Sequence, residues 1–146
     1  MTGDAALLRN SAMYGSENED SGNGGGLYIS SSTSSVSVNV TTGEIANNSA
    51  DRNGGGVCVD MEGNSNVANV TVGTYVSGVV NNTNPDISGN RALLSGGGMY
   101  VIGANADVDI NSGRIIDNFV SAYVDNADVA NELAWCCCRE VMLPTG

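Results

Sequence analysis

The chain has 146 residues, 41% of them hydrophobic but only 5% aromatic, and its 20 glycines suit thin, repetitive β structure better than a bulky core. Five Arg, no Lys and 16 acids give a net charge of -11, which repels phosphate backbones, so nucleic acid is not an expected partner. The absence of His excludes Ser-His-Asp and Cys-His catalysis and His-ligated metal, and the absence of Lys excludes a P-loop.

The first segment, "MTGDAALLRNSAMYG", lacks the basic region followed by an apolar run that marks a secretory leader. No stretch of about 20 apolar residues follows anywhere, so no direct membrane insertion is expected. Within this segment "LLRNSA" (7–12) is the first copy of an element that returns as "IANNSA" (45–50), "ISGNRA" (87–92) and, more loosely, "IIDNFV" (115–120). Its pattern is an apolar residue, two variable positions, Asn, one variable position and usually Ala.

A second element begins at Gly24, Gly25 and Gly26, which run into Leu27-Tyr28-Ile29. It recurs at Gly54, Gly55 and Gly56 before Val57-Cys58-Val59, and at Gly96, Gly97 and Gly98 before Met99-Tyr100-Val101. Glycine weakens a strand, so a triplet placed once per repeat marks a corner where the backbone is left-handed or packed too closely for a Cβ. A third element, "SVSVNVTTGEI" (35–45), matches "ADVDINSGRI" (106–115), with "NVTV" (69–72) as its middle copy ahead of an insertion, "GTYVSGVVNNTNP".

Equivalent Asn residues are thus 38, 42 and 28 apart, within the range of solenoid, propeller and array repeats. Each segment alternates with period two and none runs at helical spacing. Four-stranded blades would need more chain than is present. The expectation is therefore an all-β fold, a right-handed parallel β-helix of about four rungs over residues 1–125, with about three short strands per rung. Strands would pair with their counterparts about 4.8 Å away, and inward residues would stack in columns. Those columns are Leu27-Val57-Met99, Ile29-Val59-Val101, Val38-Val70-Val108, Val40-Val72-Ile110 and Leu7-Ile45-Ile87-Ile115. Asn10, Asn48, Asn90 and Asn118 would form a ladder, because Asn tolerates a left-handed turn and neutral amides can hydrogen-bond along the axis without repulsion.

The pairing of "GGG[LVM]-x-[IV]" with "I-x-x-N-x-A" resembles the β-helical repeats of chlamydial polymorphic outer membrane proteins and related adhesin-like surface proteins. Those repeats typically carry GG(A) before an aliphatic residue, and F-x-x-N; here Gly stands third in each triplet and Leu or Ile stands for Phe. The resemblance covers nearly residues 5–120 and implies an extracellular or cell-surface location.

Surface chemistry in such a fold belongs to outward positions. Tyr28, Cys58 and Tyr100 form one candidate contact column, an aromatic platform for sugars or a docking stripe, although Tyr is also simply a good strand residue. Asp107 and Asp109 lie two apart, so both carboxylates share one face about 7 Å apart, a spacing compatible with Ca²⁺ or acid-base work. Their stacked neighbours, Asn69 and Thr71, are neutral and no base accompanies them, which favours a solvated face. Glu44, Asp86 and Arg114 align just before the closing apolar residue and read as register-keeping. Asn39, Asn47, Asn69 and Asn81 are sequon positions for glycosylation.

After residue 131 the composition changes. "NADVANELAWCCCREVML" places Val129, Leu133, Cys137 and Val141 at four-residue spacing, which predicts a short capping helix in the tail 126–146. Cys136, Cys137 and Cys138 are candidates for palmitoylation or an interchain disulfide, or are inert. The N-terminal segment begins inside a repeat, so the open ends are expected to meet further repeats or other protein chains. The whole reads as a non-catalytic structural or adhesive surface module without a cofactor. The competing reading is a glycan-binding or polysaccharide-active β-helix that uses the surface acids and tyrosines.

Overall fold

The computed structural model describes residues 1, 4–15, 21–61, 65–74 and 85–121. Among these residues every regular element is a strand. In chain order they are β1 (Ala6–Leu8), β2 (Ser11–Ala12), β3 (Leu27–Ser30), β4 (Val36–Val40), β5 (Glu44–Ala46), β6 (Ser49–Ala50) and β7 (Val57–Asp60). They continue as β8 (Val67–Val72), β9 (Asp86–Ser88), β10 (Arg91–Ala92), β11 (Met99–Ile102), β12 (Asn105–Ile110), β13 (Arg114–Ile116) and β14 (Phe119–Val120).

The strands form four sheets, all parallel. Sheet A orders β1-β5-β9-β13, sheet B β2-β6-β10-β14, sheet C β3-β7-β11 and sheet D β4-β8-β12. The chain therefore visits A, B, C and D in the same order on each pass, and every strand pairs with the strand four positions away. Each repeat holds four strands, not the expected three. The closing element "I-x-x-N-x-A" contributes two of them, because the chain bends sharply between β5 and β6.

Register follows the apolar columns. Leu7 pairs with Ile45, Ile45 with Ile87 and Ile87 with Ile115. Leu27, Val57 and Met99 are aligned in sheet C, and Val38, Val70 and Val108 in sheet D. A one-residue slip would turn each set out to water, so the alternation fixes the pairing. Sheets A, C and D share one core: Ile45 and Ile87 meet Val57, Val59 and Met61 of sheet C and its exit, and Val38, Val40, Ala68, Val70 and Val72 of sheet D. Burying each of these Val, Ile or Met side chains contributes about 1.5–3 kcal/mol. Sheet B adds only Ala50 and Ala92, both fully buried.

Burial is greatest in the middle pass. On β12, the last strand of sheet D, Val108 and Ile110 are 42% and 47% exposed although their partners Val70 and Val72 are buried. The columns are the same; among the described residues the terminal strand has no neighbour on one side. The expected helix at 126–146, Cys136–Cys138 and the sequon Asn81 lie outside the described residues, as does most of the insertion before Pro85.

Candidate functional site

Among the described residues, the corner between sheets A and B carries the most organised polar chemistry. The Asn10 main-chain N–H and Nδ2 both donate to Oδ1 of Asn48, at 2.9 and 3.0 Å. Asn48 donates in the same way to Oδ1 of Asn90, at 3.0 and 2.9 Å. Asn90 repeats the pattern onto Asn118 Oδ1, at 2.9 Å for both bonds. The second Nδ2 hydrogen of each side chain goes to a carbonyl of the preceding repeat: Asn48 to Leu7, Asn90 to Ile45 and Asn118 to Ile87. Asn48, Asn90 and Asn118 are buried, so a complete hydrogen-bond set is what makes them tolerable there.

All the amides point the same way. Carboxamide oxygens face the Asn10 end and N–H groups face the Asn118 end, which gives the ladder a direction. The left-handed backbone that sequence reasoning assigned to the ladder Asn belongs instead to the residue before it. Arg9, Asn47 and Asp117 have φ of 57°, 58° and 54°, and Gly89 in the same column has 61°. That residue makes the bend, and the Asn after it, now facing inward, joins the ladder.

Each glycine of a triplet has its own reason to be there. Gly54 is left-handed, with φ 67°. A Cβ on Gly55 would lie 2.4 Å from the carbonyl oxygens of both Arg91 and Gly97. One on Gly56 would lie 2.4 Å from Gly98 O and 3.0 Å from Asn90 Nδ2. The second and third glycines thus let one repeat settle onto the next and onto the ladder. Their amides are used as well: Gly54, Gly55, Gly56 and Val57 donate in succession to Ser95, Gly96, Gly97 and Gly98. Asn23, just ahead of the first triplet, is also buried, and its Oδ1 accepts from the Asn53 N–H at 3.1 Å. The sequence carries a signal for that pair, Asn-Gly-Gly-Gly at both 23–26 and 53–56, which the triplets alone do not reveal.

The candidate contact column is aligned as Tyr28, Cys58 and Tyr100, but it is not a continuous surface. Tyr28 is 38% exposed and Tyr100 half-buried, whereas Cys58 is fully buried. Cys58, expected among the surface contacts, is therefore an interior residue. Its small side chain sits between two tyrosine strands, and the Gly54 corner folds back on it so closely that a Cβ there would be 2.6 Å from Cys58 Cβ. Burial, and secondarily the charge of Asp60, push the Cys58 thiol up to about 12, which keeps it protonated and unreactive at neutral pH.

Asp107 and Asp109 are exposed on β12, aligned with Asn69 and Thr71 and, one strand further, with Ser37 and Asn39. Among the described residues no group of three or more His, Cys, Asp or Glu is placed to hold a metal ion. Asp86 pairs with Arg114 at 3.4 Å on the surface, and Glu44 is the neighbour of Asp86 on the other side. Of the sequon residues, Asn39, Asn47 and Asn69 are exposed. Comparison of the chain with protein-family models, curated proteins and solved structures gave no match.

Proposed function

We propose that the chain is a right-handed parallel β-helix of about four rungs that serves as a non-catalytic structural or adhesive module at the cell surface, within a larger protein or an axial assembly. The observation that carries the architecture is the strand order: four sheets visited cyclically, each strand paired with its equivalent one repeat away. Right-handed connection is the rule for parallel crossovers. The continuous Asn ladder and glycine corner supply the repeated bend that such a coil needs. The surface location rests on the resemblance to adhesin-like repeats, and exposed Asn39, Asn47 and Asn69 suit glycosylation in a secretory route.

Molecular order points to a scaffold. The buried polar groups satisfy one another along the axis, and the outward carboxylates Asp107 and Asp109 stand beside neutral residues. A glycan platform on the tyrosine column is less favoured, because the burial of Cys58 interrupts it. Antibodies to the purified chain test the location: they should label intact, unpermeabilised source cells. Labelling that appears only after permeabilisation would overturn the surface role.

A further inference from the structure

The column that makes the A/B bend begins with Arg9, passes through Asn47 and Gly89, and finishes with Asp117. Its ends carry opposite charges on the same backbone conformation. Both are exposed, and neither side chain takes part in an ion pair among the described residues. The adjacent ladder column is complementary in the same sense. At one end Asn10 presents its Oδ1, to which no described group donates. At the other, the main-chain N–H of Asn118 and one Nδ2 hydrogen have no acceptor among the described residues, because the next Asn oxygen is missing.

We propose that the Asp117/Asn118 edge of one copy binds the Arg9/Asn10 edge of a second copy, head to tail, so that β13 pairs with the second copy's β1 and β14 with its β2. The junction repeats the internal contact between repeats. Asn118 would donate to the second copy's Asn10 as Asn90 donates to Asn118. Asp117 would lie against Arg9 one strand spacing, about 4.8 Å, away along the column. Ile115 and Val120 would meet Leu7 and Ala12, which continue the same apolar columns. Fourteen strands make three and a half passes through the four sheets, so only sheets A and B meet directly across the junction. Those are the two sheets that flank the complementary corner. Since the two faces differ, the contact is heterologous, and since the second copy continues the axis of the first it does not close; the product is a linear chain of copies.

This inference rests on the β-helix reading above, and the experiment separates the two. The full chain is examined by sedimentation velocity over a concentration series at about 0.15 M salt, where the repulsion between copies of net charge -11 is screened beyond about 8 Å. Mass should rise progressively with concentration. Arg9→Asp and Asp117→Arg should each weaken association by about tenfold or more by placing like charges together, and the double charge swap should restore it. Each variant installs a residue type that already occupies an equivalent left-handed position, so folding is preserved; circular dichroism and protection of the Asn90 amide confirm it. A folded chain that stays monomeric, as would follow if residues 122–146 closed that edge, overturns the inference and leaves the β-helix reading standing. So does a closed dimer, or association indifferent to both single reversals. Loss of β structure in the parent chain would instead sink the reading beneath it.

Discussion

At the scale of one residue, Asn90 shows why the ladder is a structural commitment. Its side chain accepts from Asn48 twice and donates to Asn118 and to the Ile45 carbonyl, all with no access to water. Truncating it removes its own bonds and leaves two donors of Asn48 without an acceptor in the interior, while Asn118 Oδ1 keeps only the Asn90 main-chain N–H. Asn90→Ala should therefore cost about 3–5 kcal/mol in urea unfolding, whereas Asn10→Ala, at the exposed end, should cost about 1 kcal/mol or less. A similar cost at both sites would show that the ladder does not work as a buried network. Cys58 gives a second prediction, in pH. Its thiol titrates at about 12 in the folded chain against an ordinary 9.0. Between those values the unfolded chain has lost the proton that the folded chain keeps, so stability is intact below about pH 9 and declines as pH rises towards 12. The slope should approach about 1.4 kcal/mol per pH unit in this window and vanish from the difference once Cys58→Ala is made. Equal alkaline sensitivity of both proteins would contradict the burial.

At the scale of an element, the glycine triplet turns a propensity argument upside down. Replacing Gly by Ala at an ordinary φ usually stabilises a protein by about 0.4–1 kcal/mol, because the unfolded chain loses freedom. Gly55 has no left-handed requirement, yet a Cβ on it would drive into two carbonyl oxygens. Those oxygens belong to the main chain of the next repeat and cannot swing aside. Gly55→Ala should thus destabilise by at least about 2 kcal/mol in thermal unfolding, while Gly15→Ala, whose Cβ would meet nothing nearer than 3.6 Å among the described residues, should be neutral or favourable. These corners also show what could be read in the sequence. Period-two alternation and the recurring triplets were enough to specify register, since a slip of one residue would expose Val38, Val70 and their partners together. Three glycines in a row did announce a tight corner. What pattern could not separate was the two-residue strand Ser49–Ala50 from the bend before it, because two residues show no periodicity. Nor could it tell that Asn47, not Asn48, takes the left-handed bend: two adjacent Asn offer the same propensity, and only the direction of the buried column decides. Cys58 was misplaced for a related reason. Alternation says which side of a strand a residue faces, but not that a neighbouring corner folds over that side.

At the scale of the whole molecule, stability is expected to vary along the axis, because each repeat contacts only the repeats on either side of it. In sheet A, Ile45 and Ile87 have a partner above and below and are fully buried, whereas Leu7 and Ile115 have one each among the described residues and are only partly covered. Sheet D repeats this, with Val70 and Val72 enclosed and Val108 and Ile110 open. The ladder follows the same gradient: Asn90 sits between two partners, Asn10 at an exposed end. Opening a terminal strand costs one interface, while opening a central one costs two and breaks the ladder. Local unfolding should accordingly begin at the ends and reach the middle last. Amide hydrogen exchange of the full chain measures this directly. Main-chain amides of Asn48, Val57, Val70 and Asn90 should exchange slowest, and those of Ala12 and Ile110 at least about a hundredfold faster, a difference of about 2.7 kcal/mol in opening free energy. Under conditions that drive copies together, head-to-tail contact would add the missing interface to β1, β2, β13 and β14 alone. Protection should then rise at Ser11 and Phe119 while Ile110, on the uncontacted edge of sheet D, stays fast. A uniform rise across all four sheets would contradict a junction made by sheets A and B.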